Sequence, residues 1–308
     1  MITCSAPGKI FLFGEHSVVY GKAAIACAID KRVSATLVPC SSVKIKIAGQ
    51  YKPVNPKKNP YVAGAIYEMN KIAELPGFCI DINSELPSGA GLGSSSAVTV
   101  ATIKSLDVLA DTKLSLKEIA EMSHKIETNV QGKASPTDTF VSTFGGSVKI
   151  PEKVHIDFFD AKIVIGNTGK FASTTNLVSD VYELMSKHPD SVNCIMDAMD
   201  RVSRDGEIEI QKKDYKKIGE LMNINQGLLN SIGVSTVQLE NLIWAARNSG
   251  AYGAKLTGAG GGGCMIALCD ENNIQKVVNA IKKAGGDPFV CNTTKEGVRV
   301  DKNNVNPE

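Results

Sequence analysis

Short apolar segments separated by turn residues mark the first part of the chain. Ala24–Ala28, Val33–Val38, Val43–Ile47 and Phe78–Ile82 are rich in β-branched side chains and bounded by turn residues, so each is predicted to be a strand. The period then lengthens. Val98–Ala110 reads as a helix, and a second helix starts at Ser115, where Ser115-Leu116-Lys117-Glu118 forms a capping box and Ile119, Met122, Ile126 and Val130 recur at helical spacing. Beyond Pro151 the pattern predicts a strand at Lys162–Ile165 and helices near Ser191–Ser203, Tyr215–Leu229 and Thr236–Asn248. A strand, a glycine loop, a second strand at Cys264–Leu268, a helix over Ile274–Lys283 and strands near Pro288–Cys291 and Val298–Val300 complete the chain. Strands and helices are mixed without regular βαβ alternation, which favours an α+β fold.

Composition narrows the function classes. The chain has 308 residues, 43% hydrophobic and 21% charged, with a net charge of +2, so neither a nucleic acid nor a membrane surface is an expected partner. A length of this order accommodates two domains or one large one. No stretch approaches the ~18 uncharged apolar residues of a spanning helix, and the N-terminus has no basic segment leading into an apolar core, so a cytoplasmic protein is expected. The eight cysteines contain no C-x-x-C pair, and the four histidines are not near them in metal-ligand spacing. Reduced thiols are the expectation.

Four segments carry candidate chemistry. The first is PSGAGLGSSSA, residues 87–97. Every Gly-Lys in the chain lacks the following Ser or Thr of a Walker A loop, so P-loop chemistry is excluded. What remains is a glycine loop running into a helix N-terminus, where free N–H groups and the macrodipole favour an anion and a serine hydroxyl can ligate Mg²⁺; it reads equally as a flexible helix cap. The second, KLTGAGGGGCMIAL at 255–268, satisfies G-x-G-x-x-G literally but leads into a strand, which excludes a dinucleotide fingerprint. Close approach of backbone to another surface or a ligand is the better use of so many glycines.

The third, SAPGKIFLFGEHSVVYG at 5–21, places Lys9, Glu15 and His16 in an otherwise apolar or glycine stretch, and buried charges are costly unless paired or functional. In the fourth, residues 127–146, Glu127 faces inward if Lys125 and Glu118 face water. Asp138 follows a Gly/Ser/Pro turn and precedes a strand-like run. Such a pair could divide into metal ligand and base, or be two ordinary surface acids.

Taken together and in this order, SAPGK…GEH, PSGAGLGSSSA and KLTGAGGGGC resemble the three motifs of the GHMP small-molecule kinases. APGKIFLFGEHSVVYGK is similar to the mevalonate kinase form of the first motif, and Gly132–Asp138 resembles that branch's approach to its catalytic aspartate. The resemblance runs from Thr3 to about Leu268. It implies an N-terminal domain like ribosomal protein S5 domain 2 over 1–165 and a ferredoxin-like α+β domain over 166–308, with the active site between them. It further implies ATP- and Mg²⁺-dependent phosphorylation of the C5 hydroxyl of mevalonate for isoprenoid synthesis. Pro87, Ser88, Gly89, Ala90, Gly91, Leu92, Gly93, Ser94, Ser95, Ser96 and Ala97 then form the ATP phosphate loop. Ser95 and Glu127 become the metal ligands, Asp138 the base and Lys9 its charged partner. Glu15 and His16 lie on the mevalonate side, and Gly258–Gly262 support the phosphate loop. One departure is visible: the helix near 195–200 offers Asp197 where many mevalonate kinases offer a threonine, so that contact stays unassigned. A kinase for another small alcohol, such as phosphomevalonate or a sugar, and a non-catalytic regulator of the same fold are the alternatives. A homodimer is left open.

Overall fold

Period-two segments pair into two sheets in the computed structural model, which describes residues 1–303 except Ser88, Lys133 and Ala172. β1 (Ile2–Phe13) and β2 (Ala24–Pro39) form a long antiparallel hairpin, with Ile2 opposite Leu37 and Phe13 opposite Ile25. β3 (Lys44–Ile47), β4 (Gln50–Pro53), α1 (Pro60–Met69) and β5 (Phe78–Ser84) follow. α2 (Ser94–Ala110), α3 (Leu116–Gln131) and α4 (Pro136–Phe144) lead to β6 (Ser147–Ile150) and β7 (Val154–His155). The second half comprises β8 (Lys162–Asn167), α5 (Thr174–Lys187), α6 (Pro189–Lys212), α7 (Tyr215–Ser231), α8 (Val237–Arg247), β9 (Ala251–Leu256), β10 (Cys264–Cys269), α9 (Ile274–Lys283) and β11 (Asp287–Asn292), and β12 (Arg299–Asn303) comes last. The first sheet runs β12-β1-β2-β5-β3-β4, with β6 and β7 built out from β2; the second runs β11-β8-β10-β9. The fold is α+β, as expected. β12 pairs with β1, so residues 299–303 lie in the first sheet although they end the second half.

The core crosses the chain's midpoint. All six residues of β10 are buried, and their alternation divides them: Cys264, Ile266 and Leu268 join the cluster that also holds Ile10, Leu12 and Ile29 of the first sheet, while Met265, Ala267 and Cys269 join a second cluster under α8 and α9. A strand buried on both faces reads as a continuous apolar run, which is what CMIALC is. α2 is buried on nearly every side, and its polar residues are satisfied internally: Thr102 Oγ1 donates to Val98 O at 2.7 Å and Ser105 Oγ to Ala35 O at 2.9 Å.

The clearest differences from the pattern-based expectation lie in four elements. β1 is a single strand through Pro7 and Gly8, because a register shift at Pro7/Gly8 absorbs the missing donor and bends the strand there. The run after the Gly/Ser/Pro turn is α4 and not strand-like: Ser135 caps it, Pro136 takes the first helical turn, and the β-branched residues Thr139, Val141 and Thr143 are buried by neighbours that override their local preference. α5 and α1 lie in stretches given no helix; both begin with start signals, Ser173 as an N-cap accepting from Asn176 N–H and Pro60 at the first position. The expected capping box at Ser115 and Glu118 is present in full.

Candidate active site

A cleft of about 650 Å³ opens where the first hairpin, the α2 N-terminus, α4 and the two glycine loops meet. Lys9 enters it just after the β1 irregularity. Its Nζ lies 3.4 Å from Asp138 Oδ1, donates to Gly91 O at 3.3 Å and stands 4.3 Å over the Phe11 ring. The lysine is 3% exposed and Asp138 is 28% exposed, so the carboxylate keeps access to the cleft. Asp138 sits in the first turn of α4, where the helix dipole favours its charge. A Cβ on Gly93 would come within 3.0 Å of Lys9 Cγ, so a side chain there would crowd the lysine stem.

The same glycine is the N-cap of α2, with φ 71°, and no side chain caps the helix. The first N–H groups of α2 are therefore free of the usual capping oxygen, and Ser94 and Ser95 line the cleft beside them. The two glycine loops pack back to back: a Cβ on Gly258 would fall 3.1 Å from Gly91 O, and one on Gly263 would fall 3.2 Å from Ala90 O. Thr257 ties this assembly to β1, accepting from Phe11 N–H at 2.8 Å.

Glu127 comes from the inward face of α3 and is 2% exposed, as its helical phase predicts. Ser95 Oγ and Ser96 Oγ both donate to its Oε1, at 3.0 and 2.7 Å. Burial first, and then the charge of Asp138, push its pKa up to about 7. Two carboxylates thus face one another with Lys9 as their shared cation, a set of hard oxygen donors short of positive charge. That donor set suits Mg²⁺, which takes one or two carboxylates together with substrate phosphates. Among the described residues there is no cluster of three or more His, Cys, Asp or Glu side chains of the kind an all-protein metal cage needs.

Of the residues singled out in the sequence, Lys9, Glu15, His16, Asp138, Glu127 and Gly89 through Ser95 all line the cleft. Pro87 does not. Ser96 and Ala97 are fully buried behind it, Ser96 as a support for Glu127, and Ser88 lies outside the described residues. Glu15 departs from a substrate-facing carboxylate: it is 2% exposed, its Oε1 is bonded by Lys255 Nζ and its Oε2 accepts from Asn225 Nδ2 at 3.1 Å. Sequence reasoning missed Lys255 and Asn225. The charge that opens the KLTGAGGGGC segment was the available signal for Lys255; Asn225 carried none. Asp197 is exposed and paired with Lys22 at 2.5 Å, outside the cleft.

α5 adds to the cleft wall, which its cap Ser173 and first residues Thr174 and Thr175 line. Burial holds the His16 imidazole below its ordinary pKa, and its Nε2 lies 2.7 Å from Ala259 O. Because a carbonyl only accepts, Nε2 carries the hydrogen.

A buried lysine paired with a reachable carboxylate, beside uncapped helix N–H groups, defines a phosphotransferase cleft, and the sequence agrees at the level of the family. Residues 60–146 match the model of the GHMP kinases N terminal domain, and residues 207–287 match that of the GHMP kinases C terminal domain. The chain belongs to the GHMP kinase family. Among its relatives is the mevalonate kinase of Pyrococcus abyssi, 43% identical over 98% of each chain. Among solved structures, the Methanococcus jannaschii mevalonate kinase superposes with a TM-score of 0.86 at 30% identity, over 95% of this chain and 98% of the other. The L. major mevalonate kinase in complex with R-mevalonate superposes with a TM-score of 0.83 at 26% identity, covering 95% and 96%.

Proposed function

We propose that this chain is a mevalonate kinase, transferring the γ-phosphoryl group of ATP to the C5 hydroxyl of (R)-mevalonate to give 5-phosphomevalonate and ADP. The observation that carries the reading is the Lys9–Asp138 pair, 3.4 Å apart at the edge of an uncapped helix N-terminus and open to the cleft on the Asp138 side. The names borne by its relatives supply the substrate. Phosphoryl transfer asks a protein mainly for in-line positioning and charge neutralisation. The loop from Gly89 to Ser95 and the first N–H groups of α2 hold the phosphates. Asp138 accepts the proton of the C5 hydroxyl as that oxygen bonds to the γ-phosphorus and the bond to the ADP oxygen breaks. Lys9 compensates the charge of Asp138 and steadies the developing alkoxide.

Ser95 and Glu127 would hold Mg²⁺, which when bound neutralises the phosphate charge. Ser96 orients Glu127 from behind. No helix among the described residues is long and apolar enough to cross a membrane, and the eight free cysteines suit a reducing cytoplasm, where we place the enzyme.

Purified protein with Mg-ATP and (R)-mevalonate should yield 5-phosphomevalonate in a ³¹P NMR time course. No product from mevalonate, with turnover of phosphomevalonate or a sugar in an ADP-release panel, transfers the reading to another alcohol. ATP binding without turnover on any alcohol transfers it to a regulator.

A further inference from the structure

His16 has φ 61° and ψ −50°, and Ser17 N–H donates across it to Glu15 O at 2.7 Å. It is the centre of a positive-φ γ-turn, a rare and strained conformation for a residue with a side chain. Such strain persists only where the surroundings over-determine it. Two anchors do so, and both come from the second half of the chain. On one side the imidazole bonds Ala259 O in the 258–263 glycine loop. On the other, the adjoining Glu15 is held through both carboxylate oxygens by Lys255 of β9 and Asn225 of α7. Lys255 also donates to Leu256 O at 2.6 Å, and its neighbour Leu256 N–H is bonded by Gln226 Oε1 at 2.9 Å, so the lysine is itself fixed.

Glu15 and Lys255 are 2% and 0% exposed, and both carboxylate oxygens of Glu15 are already bonded within the protein. A charge pair buried this deeply is weak evidence for stability, because desolvation offsets its attraction. Specifying a conformation is the stronger use, and the strained turn beside it is a conformation that needs specifying. His16 lines the cleft, as Lys9 does.

We propose that Lys255 is a positioning residue for the alcohol substrate: acting through Glu15, it holds the γ-turn that presents the His16 imidazole to the cleft. The contact also joins β9 to the segment that follows β1, so the same ion pair ties the two halves of the chain together beside the cleft. Only the kinetic arm of the test rests on the proposed kinase activity.

The first arm uses the unaltered protein and needs no substrate. Long-range ¹H–¹⁵N NMR of the four histidines, with His16→Gln for assignment, should show His16 locked as the Nε2–H tautomer and silent where a free imidazole titrates. Mixed tautomers with an ordinary titration overturn the proposal whatever the enzyme's activity. In the second arm, Glu15→Gln combined with Lys255→Met removes both charges together and avoids leaving one buried alone. It should bind ATP as the parent does, raise KM for mevalonate about tenfold or more (~1.4 kcal/mol per tenfold) and lower kcat by less. His16 should then titrate. Lys255→Arg, which keeps the cation, should restore most of the KM.

Parental KM with His16 still locked overturns the proposal. Should the double variant not fold, Asn225→Ala removes one bond to Glu15 and spares the ion pair; a raised KM with a mobile His16 supports the proposal, and no change in either overturns it.

Discussion

Two buried lysines, Lys9 of β1 and Lys255 of β9, each meet one carboxylate. Lys9 and Asp138 stand 3.4 Å apart with Asp138 28% exposed, whereas Lys255 and Glu15 are in direct contact at 0% and 1% side-chain exposure. The first pair is incompletely satisfied: Lys9 spreads its donors over Asp138 and Gly91 O, and Asp138 keeps an open side. The second is closed, with both oxygens of Glu15 bonded. Their residue types are the same and their uses differ, because a carboxylate can exchange a proton with substrate only where substrate can reach it. A closed pair in a low-dielectric interior can only hold geometry.

The largest expected effect falls on the open pair. Asp138→Asn is nearly isosteric and cannot accept a proton, so kcat should fall ~10²–10⁴-fold with ATP affinity little changed. A near-parental kcat would mean that the proton leaves by another route and would erase the functional side of the comparison. The closed pair should respond in stability instead. Lys255→Met alone leaves the Glu15 carboxylate buried without its cation, a loss of about 3–5 kcal/mol measured by denaturant unfolding. Lys9→Met should show the opposite balance, with turnover lost and stability changed far less, since water reaches Asp138. Equal destabilisation by the two lysine variants would break the comparison.

Glu127 sharpens it through pH. An acid whose pKa rises on folding, here from 4.5 to about 7, keeps a proton that the unfolded chain has already released. Metal-free protein should therefore lose stability as pH rises through that window, by about 3 kcal/mol at most, and Glu127→Gln should flatten the slope. Binding of Mg²⁺ favours the ionised form, so its affinity should climb over the same range; calorimetry at several pH values reads both. Stability that increases from pH 4.5 to 7 in the absence of metal would contradict the raised pKa. The smallest effect is expected at Ser96→Ala, which removes one buried hydrogen bond to Glu127 and should cost ~1 kcal/mol while Ser95→Ala costs more in Mg²⁺ affinity. If Ser96→Ala weakens Mg²⁺ the more, the two serines have exchanged roles.

Much of this was legible from local pattern. The capping box at Ser115, the inward phase of Glu127 and the strand of CMIALC follow from spacing that short-range physics enforces. The helix of Asp138 was misread because Ser135-Pro136 serves both as a turn and as a helix start, and the β-branched run behind it favours a strand in isolation. Burial against the β1–β2 hairpin decided the case. Lys255 was missed for a different reason: its charge stands out in the sequence, but the partner that gives it a role lies 240 positions away along the chain.

By itself the sequence determined the α+β class, most elements, and the three motifs whose order and residue types point to phosphoryl transfer. Those are consequences of periodicity, capping and glycine chemistry acting within about twenty residues. The resemblance already named Asp138 as the base, and only the tertiary structure gave the physical reason that Asp138 and not Glu15 is free to react. Lys9 and Lys255, or Glu15 and Asp138, are chemically alike as sequence letters. Their difference is solvent access and the number of partners, which arise only when β1, α4, α7 and β9 converge on one cleft.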